Sequence, residues 1–217
     1  YPMNDSTLVG HRVSDNWANE QHVYFAAQFD RAFEWQDQLS EMKDFGHDAN
    51  GVLRQEMEFV PVFACDFGVV DELNARVALS FVSIEGALKN LKAEAPTTDF
   101  NPYLQEATAN WDDQLACVMA DGGTDDDRKK FYTALYHCFT TPNIANDVDG
   151  KYRGTDLELH QLGAEDGNQY TVFSLWDTYR ALHPLLNWLE PERSRDFVRT
   201  MLRMYQEGGQ LPVWELA

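Results

Sequence analysis

The chain has 217 residues, of which 44% are hydrophobic and 13% aromatic, so it can build a packed core and is not expected to be disordered. Acidic residues outnumber basic ones by 36 to 17, for a formal net charge of -19. The acidity is spread over both halves, which argues against a basic face for nucleic acid or an anionic membrane, and no apolar run approaches the ~18 residues of a membrane-spanning helix.

The first 82 residues have the composition of β-strands. Residues 23–29 (VYFAAQF) and 58–65 (EFVPVFAC) are rich in β-branched and aromatic side chains. Pro61 places the second run at a sheet edge or a bulge, because proline cannot donate to a strand ladder. Residues 73–81 alternate between apolar and polar types, and this period of two predicts a strand whose apolar face is buried.

The pattern changes from strand to helix at Ser83. That serine is a good N-cap for a helix over residues 84–94, and an apolar stripe predicts a second helix over 102–120. Thr124 and Asp127 have the spacing of a capping box, which predicts the start of a third helix.

The remaining chain is irregular over residues 141–170 and then helical over 175–189 and 196–207, the last helix ending at two glycines. Strands therefore come first and helices second. This order predicts an α+β or two-domain fold rather than an alternating parallel-sheet fold, with a β portion at residues 1–82 and a helical portion at 83–217.

Two tryptophans and an aspartate are the leading candidates for ligand binding. Asp177 follows Trp176 directly, and a carboxylate beside an indole suits a sugar, because the acid binds hydroxyls while the ring covers the apolar C–H face. The structural alternative is that Asp177 satisfies a helix end while Trp176 packs in the core. Trp214 follows the last helix on a loop, and its alternative is packing against that helix.

Arg153 lies in a polar loop that follows an Asp-rich turn. Its guanidinium suits a carboxylate or a pair of hydroxyls, and the alternative is an ion pair with Asp156 or Asp149. Residues 147–150 (DVDG) resemble the start of a calcium loop, but the third ligand and the glycine of an EF-hand are missing, which favours a simple turn.

Six short motifs follow one another along the chain. They are SFVS at 80–83 continuing to Glu94, LYH at 135–137 with Pro142-Asn143, YRG at 152–154, FSLWDT at 173–178, HPL at 183–185 and GGQLPVW at 208–214. Their order and spacing resemble those of glycoside hydrolase family 92, and the resemblance extends from about residue 10 to residue 217.

The resemblance implies an N-terminal β-sandwich joined to an (α/α)6 helical barrel. Residues 1–82 would be the last part of the sandwich, and 83–217 the linker helices and the first part of the barrel. It also implies an exo-acting, calcium-dependent, inverting α-mannosidase that acts on N-glycans or mannan outside the cytoplasm, whether secreted, periplasmic or on the cell surface.

Carried over by the same resemblance, Asp177 would contact the mannose ring, Trp176 would support the pocket and Trp214 would line the approach. Arg153 is a weaker candidate. The acid, the base and most calcium ligands of the family would lie beyond Ala217, so no catalytic residue or metal ligand is named in this chain.

We therefore expect an internal piece of a larger enzyme that has little activity alone. Its partners would be a mannose-containing glycan and the remainder of the parent polypeptide. The alternative is a non-catalytic carbohydrate-binding or scaffold module, which the β-rich first part and the missing acid and base would favour.

Overall fold

The computed structural model describes residues 1–15, 20–47 and 53–215, with side chains described outside 37–63 and up to residue 214. The first part of the chain contains the strands β1 (Pro2–Asn4), β2 (Thr7–Ser14), β3 (Gln21–Phe29), β4 (Glu34–His47), β5 (Leu53–Asp66) and β6 (Ala75–Ser80). They form a four-stranded antiparallel sheet in the order β1-β2-β3-β6 and a separate β4–β5 hairpin.

The helices follow these strands. They are α1 (Ile84–Glu94), α2 (Phe100–Leu115), α3 (Asp125–Cys138), α4 (Leu175–Thr178), α5 (Leu182–Leu189) and α6 (Pro191–Gly208). The mixed composition of strands and helices is confirmed. The long strands precede the first helix as predicted, but short strands also occur between α3 and α4 and after α6. The (α/α)6 arrangement and the boundary between residues 82 and 83 stay predictions.

Strand β6 exists as predicted, but the predicted buried face is wrong. Val77 and Leu79 are 57% and 56% exposed, whereas the intervening Ala78 packs into a core formed by β2, β3 and α1. Small side chains explain the choice of face, because Ala78 and the fully buried Ala26 and Ala87 let the helix approach the sheet closely.

Local signals set the starts of two helices. Ser83 accepts a hydrogen bond from the backbone N–H of Gly86 at the start of α1, and Thr124 and Asp127 form the full capping box of α3. Both caps confirm the predictions, because each satisfies an N–H group that a helix start leaves without a partner. Helix α2 ends at Leu115, five residues earlier than predicted.

The single helix predicted over residues 175–189 is wrong, because the structure has two helices there, α4 and α5. Pro184 accounts for the break. It has no N–H to donate and its ring would clash with the carbonyl of Arg180 one turn earlier, whereas in the first turn of α5 it leaves no bond unmade.

Short strands organise the segment between α3 and α4 and the end of the described chain. They are β7 (Asn143–Ile144), β8 (Lys151–Arg153), β9 (Leu159–Gln161), β10 (Tyr170–Thr171), β11 (Phe173–Ser174) and β12 (Trp214–Glu215). They pair antiparallel as β7 with β10, β8 with β9 and β11 with β12. A second core forms beneath them from Tyr170, Phe173, Leu186, Phe197 and Met204.

Asp147 connects the two parts of the chain. It is only 3% exposed, and its carboxylate accepts hydrogen bonds of 2.8 Å from Ser80 Oγ and from Asn90 Nδ2. Gly86 leaves room for it, because a Cβ there would lie 2.1 Å from Asp147 Oδ2. Residues 147–150 form the simple turn that the sequence favours, closed by a hydrogen bond from the Gly150 N–H to the Asp147 carbonyl at 2.8 Å. The buried carboxylate of Asp147 makes this turn a junction between β6, α1 and the loop before β8.

Within the described residues, no helix combines the length and apolar character needed to cross a membrane.

Candidate functional site

Ser174 brings the predicted sugar-binding residues together. In the pairing of β11 with β12, it lies directly opposite Trp214. Its hydroxyl Oγ also donates to Asp177 Oδ2 at 2.5 Å. Ser174 therefore links residues that lie about 40 positions apart in sequence.

Exposure of the two tryptophan rings tests the prediction that Trp176 packs in the core. Trp176 is 71% exposed and Trp214 48% exposed, so packing of Trp176 in the core is wrong. Asp177 is exposed and lies in the first turn of α4, where the helix-end alternative also places it. The structure thus leaves the Asp177 carboxylate and the adjacent Trp176 ring exposed, and it pairs Ser174, three residues before Asp177, with Trp214.

The backbone before this site is strained. Val172 has a φ of +67°, which a β-branched residue rarely adopts and which costs about 1–3 kcal/mol. The bend separates β10 from β11, and the fully buried Phe173 follows it. Strain of this kind persists only where the surrounding packing holds the backbone in place. Here the packing of Phe173 fixes the direction in which the chain enters β11, and so the positions of Ser174 and Asp177.

Arg153 is held by backbone carbonyls. Its Nε donates to the oxygen of Phe81 at 3.1 Å and its Nη1 to that of Leu157 at 2.7 Å. The alternative of an ion pair with Asp156 or Asp149 is therefore wrong. These bonds fix the guanidinium where the end of β6 meets the hairpin of β8 and β9.

Two adjoining cavities flank Arg153 and Trp214. The first, of about 100 Å³, is lined by Arg153, and the second, of about 300 Å³, by Trp214. Thr155 and Met204 contribute to both linings, so the cavities are neighbours. Among the described residues, neither Asp177 nor Trp176 belongs to either lining.

A second group of polar side chains, which sequence reasoning missed, lies beside Arg153. Asp156, His160 and Glu207 each offer one oxygen or nitrogen atom within 4.8 Å of the others. His160 Nε2 lies 3.0 Å from both carboxylate oxygens of Asp156. Glu207 is about 50 residues away in sequence, so no local motif announces the group.

Tyr152 supports this group from the core. Its hydroxyl donates to Glu207 Oε1 at 2.5 Å, and its ring stacks on that of His160 with centroids 5.4 Å apart. Burial, and then the hydrogen bond to Glu207, raise the pKa of the Tyr152 phenol, so it remains a donor at neutral pH.

Comparison with known proteins identifies the family. Residues 86–217 match the family described as the glycosyl hydrolase family 92 catalytic domain. The chain therefore belongs to glycoside hydrolase family 92. No curated protein matches the chain.

Solved structures of this family resemble the chain along nearly its whole length. The α-mannosidase BT3965 from Bacteroides thetaiotaomicron is 31% identical with a TM-score of 0.81, over 99% of this chain and 29% of that one. The same values hold for its complex with mannoimidazole. The inverting mannosidase BT2199 from Bacteroides thetaiotaomicron VPI-5482 is 26% identical with a TM-score of 0.76, over 97% and 28%. The chain spans less than a third of the length of these relatives.

Proposed function

We propose that the chain is part of an exo-acting α-mannosidase and that it supplies residues that bind the terminal mannose. The observation that carries this proposal is the exposed Asp177, which follows Trp176 and accepts a hydrogen bond from Ser174, while Ser174 pairs with Trp214 across β11 and β12. The similarity to mannosidases, one of them solved with mannoimidazole, supports mannose as the sugar. The substrate would be the non-reducing end of N-glycans or mannan, met outside the cytoplasm.

Each group has a distinct task in this proposal. The Asp177 carboxylate accepts hydrogen bonds from two sugar hydroxyls, which are charge-assisted and contribute about 1.5–3 kcal/mol each. The Trp176 ring covers the apolar face of the pyranose, and Trp214 borders the approach. Ser174 orients Asp177 and does not itself contact the sugar.

We further propose that hydrolysis inverts the anomeric carbon, as the name of BT2199 states for that relative. Inversion needs an acid and a base about 6.5–9.5 Å apart, with room for a water between base and sugar. We assign neither role to Asp177, which we propose binds sugar hydroxyls. On this proposal, the 217-residue chain alone binds the terminal mannose but does not hydrolyse its glycosidic bond.

Calcium dependence also belongs to the proposal for the whole enzyme. Ca²⁺ prefers six to eight oxygen ligands, and neither acidic group described above fits this set. Ser80 and Asn90 already donate to Asp147, Lys89 donates to Asp149, and the other carboxylate group includes the imidazole of His160. We therefore name no calcium ligand here.

The test is binding of methyl α-mannoside to the 217-residue chain, measured by calorimetry with methyl α-galactoside as the competitor sugar. We expect Asp177→Asn and Trp176→Ala each to weaken mannoside binding at least tenfold, and Ser174→Ala by less. Trp188→Ala is the matched control, since that ring is 77% exposed on α5. Equal affinity for both sugars, or no effect of Asp177→Asn, would refute the assignment.

A second assay separates the enzyme from the non-catalytic alternative. Mannose release from an α-1,2-mannobioside is measured for this chain and for a longer family 92 protein that contains it, each with calcium and with a chelator. We expect release by the longer protein only, and only with calcium. Binding without release by either protein would favour a carbohydrate-binding module.

A further inference from the structure

We infer that Asp156, His160 and Glu207 form a binding site for a transition-metal ion of the Zn²⁺ type. All three ligand atoms lie within 4.8 Å of one another. Ligand atoms around tetrahedral zinc, at about 2.0–2.2 Å from the metal, are about 3.3 Å apart. Small side-chain rotations therefore bring the three atoms to that geometry.

The ligand types favour a transition metal over calcium. Imidazole nitrogens and carboxylate oxygens are both ligands of zinc, and three protein ligands leave a fourth position for water. Ca²⁺ and Mg²⁺ prefer oxygen ligands alone. The inference concerns a site separate from Asp177 and does not depend on sugar binding.

The charges around Glu207 favour a bound cation, in addition to the hydrogen bonds that this carboxylate accepts from Tyr152 and the Thr155 N–H. This carboxylate lies in the last turn of α6, where the helix dipole is negative, and that turn has no basic residue. Among the residues with described side chains, no Lys or Arg forms an ion pair with Glu207 or with Asp156. A metal ion would neutralise both carboxylates and the helix end together.

The hydrogen bonds and solvent exposure around Asp156, His160 and Glu207 resemble those around metal ligands. The Tyr152 hydroxyl holds Glu207 Oε1, and the backbone N–H of Glu158 donates to Asp156 Oδ1 at 3.0 Å. Hydrogen bonds of this kind orient ligands for a metal. The side chains of His160 and Asp156 are 33% and 29% exposed, which leaves an entry path from solvent.

Gly154 keeps space open in front of the three ligands. A Cβ at this position would lie 2.6 Å from Asp156 Oδ1, 2.8 Å from Glu207 Oε2 and 2.8 Å from the His160 ring. The YRG motif thus has a spatial reason for its glycine. A bound ion would join the β8–β9 hairpin to the end of α6, immediately before the loop that bears Trp214.

The experiment is equilibrium dialysis of the folded chain against Zn²⁺, with metal quantified by emission spectrometry, and Ca²⁺ and Mg²⁺ in parallel. We expect one Zn²⁺ per chain, weakened at least tenfold by His160→Ala, Glu207→Gln or Gly154→Ala. The controls are His137→Ala and Glu165→Gln, two exposed residues outside the group. Circular dichroism checks that each variant is folded.

A direct readout in the unmodified chain keeps the test decisive if a variant misfolds. Zn²⁺ should shift the imidazole NMR signals of His160 more than those of His137, and Co²⁺ should give an absorption spectrum without a thiolate charge-transfer band. No Zn²⁺ uptake, uptake that the ligand variants leave unchanged, a cysteine-ligated Co²⁺ spectrum, or equal affinity for Ca²⁺ would each overturn the inference.

Discussion

Replacing Asp147 tests whether the buried junction between the sheet and the later loops stabilises the fold. Asp147→Ala removes the acceptor for Ser80 Oγ and Asn90 Nδ2. Hydrogen bonds to a charged group contribute about 1.5–3 kcal/mol each, and a buried donor left without a partner costs about 1–3 kcal/mol. Asn90 Nδ2 keeps a bond to the Leu79 carbonyl, which limits its loss.

Desolvation of the Asp147 carboxylate offsets part of the stability that its two hydrogen bonds contribute. Burial raises the pKa of Asp147 although both hydrogen bonds act to lower it, so part of the interaction energy offsets the cost of burying the charge. We therefore expect Asp147→Ala to reduce the free energy of unfolding by about 2–4 kcal/mol at neutral pH. Asp147→Asn should cost less, because it keeps one acceptor oxygen and removes the charge.

The assay is urea unfolding followed by tryptophan fluorescence and circular dichroism. Asp149→Ala is the matched control, two residues along the same loop, since its carboxylate pairs with the exposed Lys89 and Lys151 and surface pairs contribute little. An equal loss for both variants, or a change of unfolding free energy near zero for Asp147→Ala, would refute the reasoning.

Three further outcomes follow from the packing. Leu186→Ala, at a residue that is 1% exposed, should cost about 2–5 kcal/mol in urea unfolding, whereas Leu202→Ala on the exposed side of α6 should cost far less; similar losses would contradict the assigned core. Ser83→Ala should cost about 1 kcal/mol through the lost cap of α1, and recovery by Ser83→Asp is the check. Burial beside Phe173 and Phe197 lowers the pKa of His183 from its ordinary 6.5. The neutral imidazole therefore stabilises the fold above pH 6.5, and this stability is lost as the pH falls below 6.5. In thermal unfolding, His183→Gln should show a weaker pH dependence than the exposed-site control His137→Gln, and an unchanged dependence would contradict this.

Elements with strong local signals could be predicted from the sequence. Helix α1 runs over Ile84–Glu94 as predicted, because Ser83 caps its start and Pro96 stops its continuation. The break before α5 was missed although Pro184 was visible, since the apolar pattern continues across it. For β6 the alternation gave the strand but not the buried face, which depends on where α1 packs.

The candidate site likewise contains some residues that could be predicted from the sequence and others that could not. Trp176 and Asp177 are sequence neighbours, so a carboxylate beside an aromatic ring could be proposed directly. The pairing of Ser174 with Trp214 depends on the path of α5 and α6 between them. The group of Asp156, His160 and Glu207 combines a hairpin with the end of a distant helix, and only the folded chain brings it together.

The pairing of β11 with β12 makes the intervening chain a closed loop. Residues about 40 positions apart are held at one strand spacing, and the entropy lost by closing such a loop costs about 3 kcal/mol. Packing of Leu186 from α5 against Phe197 and Met204 from α6 compensates for this cost. Under the proposed function, sugar affinity at Asp177 and Trp214 would therefore depend on interior packing. A substitution that loosens α5 and α6 would increase the distance between these two residues and weaken binding without altering either of them.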